Sequence, residues 1–135
     1  MSPNQSNDSN LSNANAAAAY ADSTIENAPP LKIVRLLYQG AIRFLDNAAG
    51  CDPKAPDSKF DHWLSRTDDI VVELRLALEK DHAPEVANSL TDLYLFCERE
   101  IGRARRERST EPLAAARGVL VTLLGAWSAI DAGKA

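Results

Sequence analysis

From residue 31 onward the large apolar side chains recur every three or four positions, and prolines cut that pattern into four runs. Proline is tolerated in a first helical turn and disfavoured in an interior, so Pro29-Pro30, Pro53/Pro56, Pro84 and Pro112 mark starts or breaks. The first run predicts a helix from about Leu31 to Ala49, with Leu31, Val34, Leu37, Tyr38, Ala41, Leu45 and Ala48 on one face and Gly50 as C-cap. The second predicts a helix from about Lys59 to Lys80, with Ser58 as N-cap and Asp61 completing a capping-box-like pair. Its apolar face is broad: Phe60, Trp63, Leu64, Thr67, Ile70, Val71, Leu74, Ala77 and Leu78. The third begins near Pro84 and carries Val86, Leu90, Leu93, Tyr94, Cys97, Ile101 and Ala104. The fourth opens at Ser109 or Thr110 and carries Leu113, Ala116, Val119, Leu120, Leu123, Leu124, Trp127 and Ile130. No strand pattern competes.

Connections of about two to nine residues make sequential helices antiparallel neighbours, so residues 29–135 should form an all-α, up-down four-helix bundle. Four glycines fall inside these helices (Gly40, Gly102, Gly118 and Gly125); they read as surface or close-packing positions, the competing reading being the floor of a groove. Residues 1–28 are different. The first 19 are almost all Asn, Ser, Ala and Asp, too polar to offset the entropy of ordering, and are expected to be a disordered tail. Tyr20 and Ile25 are the only sizeable apolar groups between Leu11 and Pro29.

Composition narrows the function by exclusion. A chain of 135 residues supports one core but hardly two. Its net charge of -4 supplies no basic field for nucleic acid or anionic lipid. The start of the chain lacks the basic and apolar regions of a signal peptide, and no run of about 18 uninterrupted apolar residues exists. A cytoplasmic protein without membrane insertion is expected.

Cys51 and Cys97 are too few and too far apart for a disulfide framework or zinc site, and Cys97 sits in an apolar helical pattern. A di-iron bundle needs Glu-x-x-His pairs, but neither His62 nor His82 has a Glu three residues before it. Phosphate-loop and nucleophile-elbow motifs are also missing. The run Arg99, Arg103, Arg105, Arg106 and Arg108 is interrupted by glutamates, lacks interleaved aromatics, and suits the negative end of a helix dipole better than a nucleic acid. The expectation is no enzyme, no cofactor, no metal and no nucleic-acid partner.

Leu37-Tyr38-Gln39-Gly40-Ala41-Ile42-Arg43-Phe44-Leu45 resembles the signature Leu-Tyr-Asp-Gly-Ala-Ile-Arg-Phe-Leu of the flagellar secretion chaperone family, FliS. Asp69-Ile70-Val71-Val72-Glu73-Leu74-Arg75 is similar to that family's second-helix run, and Val86-Ala87-Asn88-Ser89-Leu90 with Leu93-Tyr94 to its third helix. Ala126-Trp127 is similar to its closing Ala-Trp, and Ala19-Tyr20 to its N-terminal Ala-Tyr. Gln39 replaces the usual Asp, Ala28-Pro29-Pro30 replaces a Ser-Pro-Glu-like start, and the tail before Tyr20 is longer than usual. The resemblance implies a bundle that binds the disordered C-terminal segment of flagellin, prevents its premature polymerisation and keeps it competent for the flagellar export apparatus.

A bundle helix needs about three of seven positions apolar, and the second helix exceeds that. Such surplus suits a receptor for a wrapped or helical peptide, the competing reading being that this helix is simply the most buried. The expected partner-binding residues are Val71, Leu74, Leu78, Leu120, Leu124 and Trp127. By the same resemblance Tyr20 and Ile25 would form a detachable cap over that surface, the alternative being plain linker. The rival reading of the whole chain is a helical regulatory adaptor with a non-flagellin partner.

Overall fold

The computed structural model describes residues 31–78 and 83–133, together with Asn13, with side chains placed through Ile130. The expected tail at 1–28, its Tyr20 and Ile25, and His82 lie outside the described residues. Four helices follow one another: α1 (Leu31–Ala49), α2 (Phe60–Leu76), α3 (Pro84–Glu107) and α4 (Leu113–Gly133). Each packs on its sequence neighbour and α4 closes back on α1; across the α1–α3 diagonal the contact is made by side chains, Tyr38 with Tyr94. Cross-helix ion pairs report the direction of each step. Asp46 near the end of α1 meets Arg117 near the start of α4, and Asp61 at the start of α2 meets Arg108 just past α3. The result is the antiparallel bundle that the periodicity predicts, with no strand among the described residues.

The core is assembled from the three-to-four rows. Val34, Tyr38, Ala41, Leu45 and Ala48 of α1 meet Phe60, Leu64, Val71 and Leu74 of α2. Ala87, Leu90, Tyr94, Cys97, Ile101 and Ala104 of α3 and Leu113, Ala116, Leu120, Leu123 and Trp127 of α4 complete it. Thr67 is fully buried; its hydroxyl donates to the Trp63 carbonyl at 2.9 Å, so the helix itself satisfies it.

Helix ends depart from expectation more than helix bodies do. Gly50 follows α1 without a left-handed backbone; its N–H donates to the Asp46 and Asn47 carbonyls instead. In α2 the Ser58 hydroxyl accepts the Phe60 N–H at 3.1 Å, but the Asp61 carboxylate turns away from any capping box to hold Arg108. That helix stops at Leu76, four residues short of the predicted end, so Ala77 is exposed rather than part of the apolar face. α4 begins at Leu113, after a turn in which the Ser109 hydroxyl accepts the Glu111 N–H.

Arg108 ends α3 with φ 51°, a left-handed conformation that costs a non-glycine residue about 1 kcal/mol or more. The Ser109 N–H closes back on the Ala104 carbonyl at 3.0 Å, and the turn aims the Arg108 guanidinium at both Asp61 oxygens, 2.8 and 2.9 Å away. The same guanidinium lies 5.6 Å from the centre of the Phe60 ring. These contacts offset the strain.

Candidate functional site

Of the six expected partner-binding residues, Val71, Leu74, Leu120 and Trp127 are buried in the bundle core. Leu78 and Leu124 are half-buried against it and keep some accessible surface. The breadth of the α2 face has a packing cause. Phe60, Leu64, Thr67, Val71 and Leu74 point inward, while Trp63 and Ile70 flank that row on the side of α1. There Trp63 stacks on Phe44 with ring centres 5.5 Å apart. Gly40 is buried beneath the Ile70 and Arg43 side chains, and a methyl group added there would meet Ile70 Cδ1 at 3.5 Å, an ordinary van der Waals contact.

The apolar side chains that face water are others: Ile33 at 50% exposure, Leu36 at 54%, Leu76 at 72% and Val121 at 41%. They lie off the rows that build the core, which is why counting rows did not single them out. The available signal was excess: six of the eight residues 31–38 are apolar, more than one core-facing stripe accounts for.

Among the described side chains of α4, Leu113 to Ile130, the outward side is uncharged apart from Arg117, which Asp46 holds at 2.7 Å. Ala114, Ala115, Gly118, Val121, Gly125 and Ala129 are all exposed, and a methyl group added at Gly118 or Gly125 would meet nothing within 4 Å. The 18 residues Leu113–Ile130 are long and apolar enough to cross a membrane by length and composition. Their larger members, Leu113, Leu120, Leu123 and Trp127, are buried against the other three helices. A cleft of about 210 Å³ between α1 and α4 is walled by Leu45, Ala49, Leu113 and Ala114 and by the Asp46–Arg117 pair.

Polar groups inside the bundle are held neutral. The Tyr38 and Tyr94 hydroxyls share a 2.5 Å hydrogen bond, with buried Trp127 close by. Burial, then the neighbouring Tyr94, pushes the Tyr38 hydroxyl well above the usual tyrosine range. Burial, with Glu98 next, pushes the Cys97 thiol up to about 12, so it is a protonated packing group rather than a nucleophile. Both cysteines are free thiols. Three of the five arginines in the run are held by the fold: Arg103 binds Glu100, Glu107 and Glu111, Arg105 binds the Ser65 hydroxyl and Asp61 carbonyl, and Arg108 binds Asp61, while Arg99 and Arg106 are exposed. His62 is exposed, its ring edge-on to Trp63. Among the described residues no cluster of His, Cys, Asp and Glu is placed to hold a metal.

Among the described residues the arrangement offers apolar surface and charge, and comparison with known proteins gives it a family. The family model of the flagellar protein FliS matches residues 13–134. The chain belongs to the FliS family. A flagellar secretion chaperone FliS from Vibrio cholerae serotype O1 is 27% identical over 109 residues, covering 81% of this chain and 80% of that protein. A flagellar secretion chaperone FliS from Bacillus subtilis is 24% identical over 113 residues, covering 84% of each. The FliS family supplies chaperones to flagellar export, so the surface that matters on this bundle is one that holds another polypeptide.

Proposed function

We propose that this FliS-family bundle binds the disordered C-terminal segment of flagellin in the cytoplasm, prevents its premature polymerisation and delivers it to the flagellar export apparatus. The observation that carries this reading is the apolar surface left over once the core is complete. Ile33, Leu36, Leu76 and Val121 remain in water, with Leu78 and Leu124 partly accessible beside them. Covering one such side chain contributes about 1.5–3 kcal/mol at most. A client that orders itself on binding therefore has to cover several at once, on the order of 1,000–3,000 Å². Sites on α1, α2 and α4 favour a client that wraps the bundle over one that inserts into it. Val71, Leu74, Leu120 and Trp127 support that surface from beneath.

Tyr20 and Ile25 belong to the same proposal as a detachable cap over part of the client surface. A chain lacking residues 1–25 should bind client as tightly as the full chain or more tightly, and clear weakening would refute the cap. The function itself is tested by calorimetric titration of the full chain with the C-terminal segment of its own organism's flagellin. Saturable one-to-one binding with a large negative heat-capacity change is expected. An absence of heat together with separate elution of the two would overturn the reading.

A further inference from the structure

At the outer edge of the α1–α2 pair lies a cluster that the core does not use. Phe44 and Trp63 stack with their planes 20° apart, both half-buried. The Arg43 and Arg66 guanidinium carbons stand 5.4 and 5.3 Å from the centre of the Phe44 ring, and both side chains are exposed. A guanidinium stacked on a ring keeps its N–H edge free, and that edge matches a carboxylate with two parallel hydrogen bonds.

Arg75, Arg103, Arg108 and Arg117 each hold a carboxylate of this chain, and Arg105 holds a hydroxyl and a carbonyl. Among the described residues Arg43 and Arg66 hold no carboxylate at all. Asp46, one turn on from Arg43, is committed to Arg117. Exposed Arg99 and Arg106 hold none either; what sets Arg43 and Arg66 apart from those two is that both lean on one aromatic ring, side by side. From this cluster an apolar track continues along α1 over buried Gly40, where Ile70 comes close, to half-buried Leu37 and exposed Ile33.

We propose that Arg43, Phe44, Trp63 and Arg66 form a docking surface for an acidic segment of a partner polypeptide. Its carboxylates pair with the two guanidiniums, and its adjoining aliphatic side chains cover Leu37 and Ile33. A nucleic acid fits less well. Two cations on a chain of net charge -4 do not match an array of phosphates, and no apolar track is needed to bind one. The proposal does not depend on which protein the bundle chaperones.

Selection of a random displayed dodecapeptide library on the full chain, with counter-selection on R43Q/R66Q, tests it. Peptides recovered only on the unmodified chain should be enriched in Asp and Glu beside aliphatic residues. A synthetic copy of one, labelled for fluorescence anisotropy, should bind R43Q/R66Q about tenfold or more weakly and lose affinity as salt is raised. R99Q/R106Q, which removes two exposed charges from α3, should bind it within about twofold of the unmodified chain. Both variants should melt with the unmodified chain; if R43Q/R66Q does not fold, R66Q alone should show a reduced affinity of the same kind. Recovery of no arginine-dependent peptide, recovery of peptides without acidic enrichment, or equal weakening by R99Q/R106Q would each overturn the proposal. So would displacement of the peptide by a single-stranded oligonucleotide at comparable concentration.

Discussion

At Tyr38 a hydroxyl is taken fully out of water, and a buried hydroxyl costs free energy unless something bonds to it. Tyr94 on α3 does so, which ties α1 to α3 across the core. Removing that oxygen takes this bond away from Tyr94. Tyr38→Phe should therefore lower stability by about 1–3 kcal/mol. Tyr94→Phe removes the same bond from the other side and should cost a similar amount. Urea unfolding measures both, as a lower midpoint at unchanged slope. A cost for Tyr38→Phe below about 0.5 kcal/mol, the size of an ordinary surface change, would show that the tie between α1 and α3 carries little. Periodicity placed Tyr38, Tyr94 and Trp127 on core faces separately. It could not bring them together, because spacing along one helix carries no information about its register against another.

Helix bodies were readable and helix ends were not, for a physical reason. A body is set by many apolar residues repeating in phase, so α1 runs over the predicted residues Leu31–Ala49. An end rests on one or two polar groups, and tertiary partners can claim those. Asp61 is claimed by Arg108, and α2 stops at Leu76. The seam between α2 and α3 also holds a mismatch. Arg75 binds Glu98 at 2.7 Å, while half-buried Asp68 has Glu98 as a like-charged neighbour. Burial first, and Glu98 next, raise the Asp68 carboxyl above its ordinary range, against smaller opposing pulls from Arg105 and Arg75. A raised carboxyl keeps its full stability below the unfolded value near 3.8 and loses some as pH rises through its folded value. Asp68→Asn should therefore melt higher than the unmodified chain at pH 7, and the gap should close near pH 3. A lower melting temperature at pH 7 would mean that the arginines outweigh burial and Glu98.

At the scale of the whole molecule, core and client surface draw on the same kind of residue, so hydrophobicity alone cannot separate them. The expected partner-binding set shows this: Val71, Leu74, Leu120 and Trp127 are apolar, in phase and buried, whereas Ile33 and Leu36 are apolar, out of phase and exposed. In-phase residues find partners inside the bundle; out-of-phase ones keep their surface for something else. Paired substitutions should separate the two roles. Leu120→Ala opens a cavity where the side chain is fully buried and should cost about 2–5 kcal/mol, with client binding falling only as far as the fold is lost. Ile33→Ser with Leu36→Ser removes surface that is already half in water, and should shift stability by no more than about 0.5 kcal/mol per site. The same pair should weaken binding of the flagellin segment by about tenfold or more, since each covered side chain contributes on the order of 1 kcal/mol or above. Thermal unfolding and calorimetric titration on the same preparations give both numbers. If the serine pair unfolds the bundle, α1 is packed more tightly than its exposure indicates. If it leaves both stability and binding untouched, the client surface lies around Leu76 and Val121, and the same paired test moves to those positions.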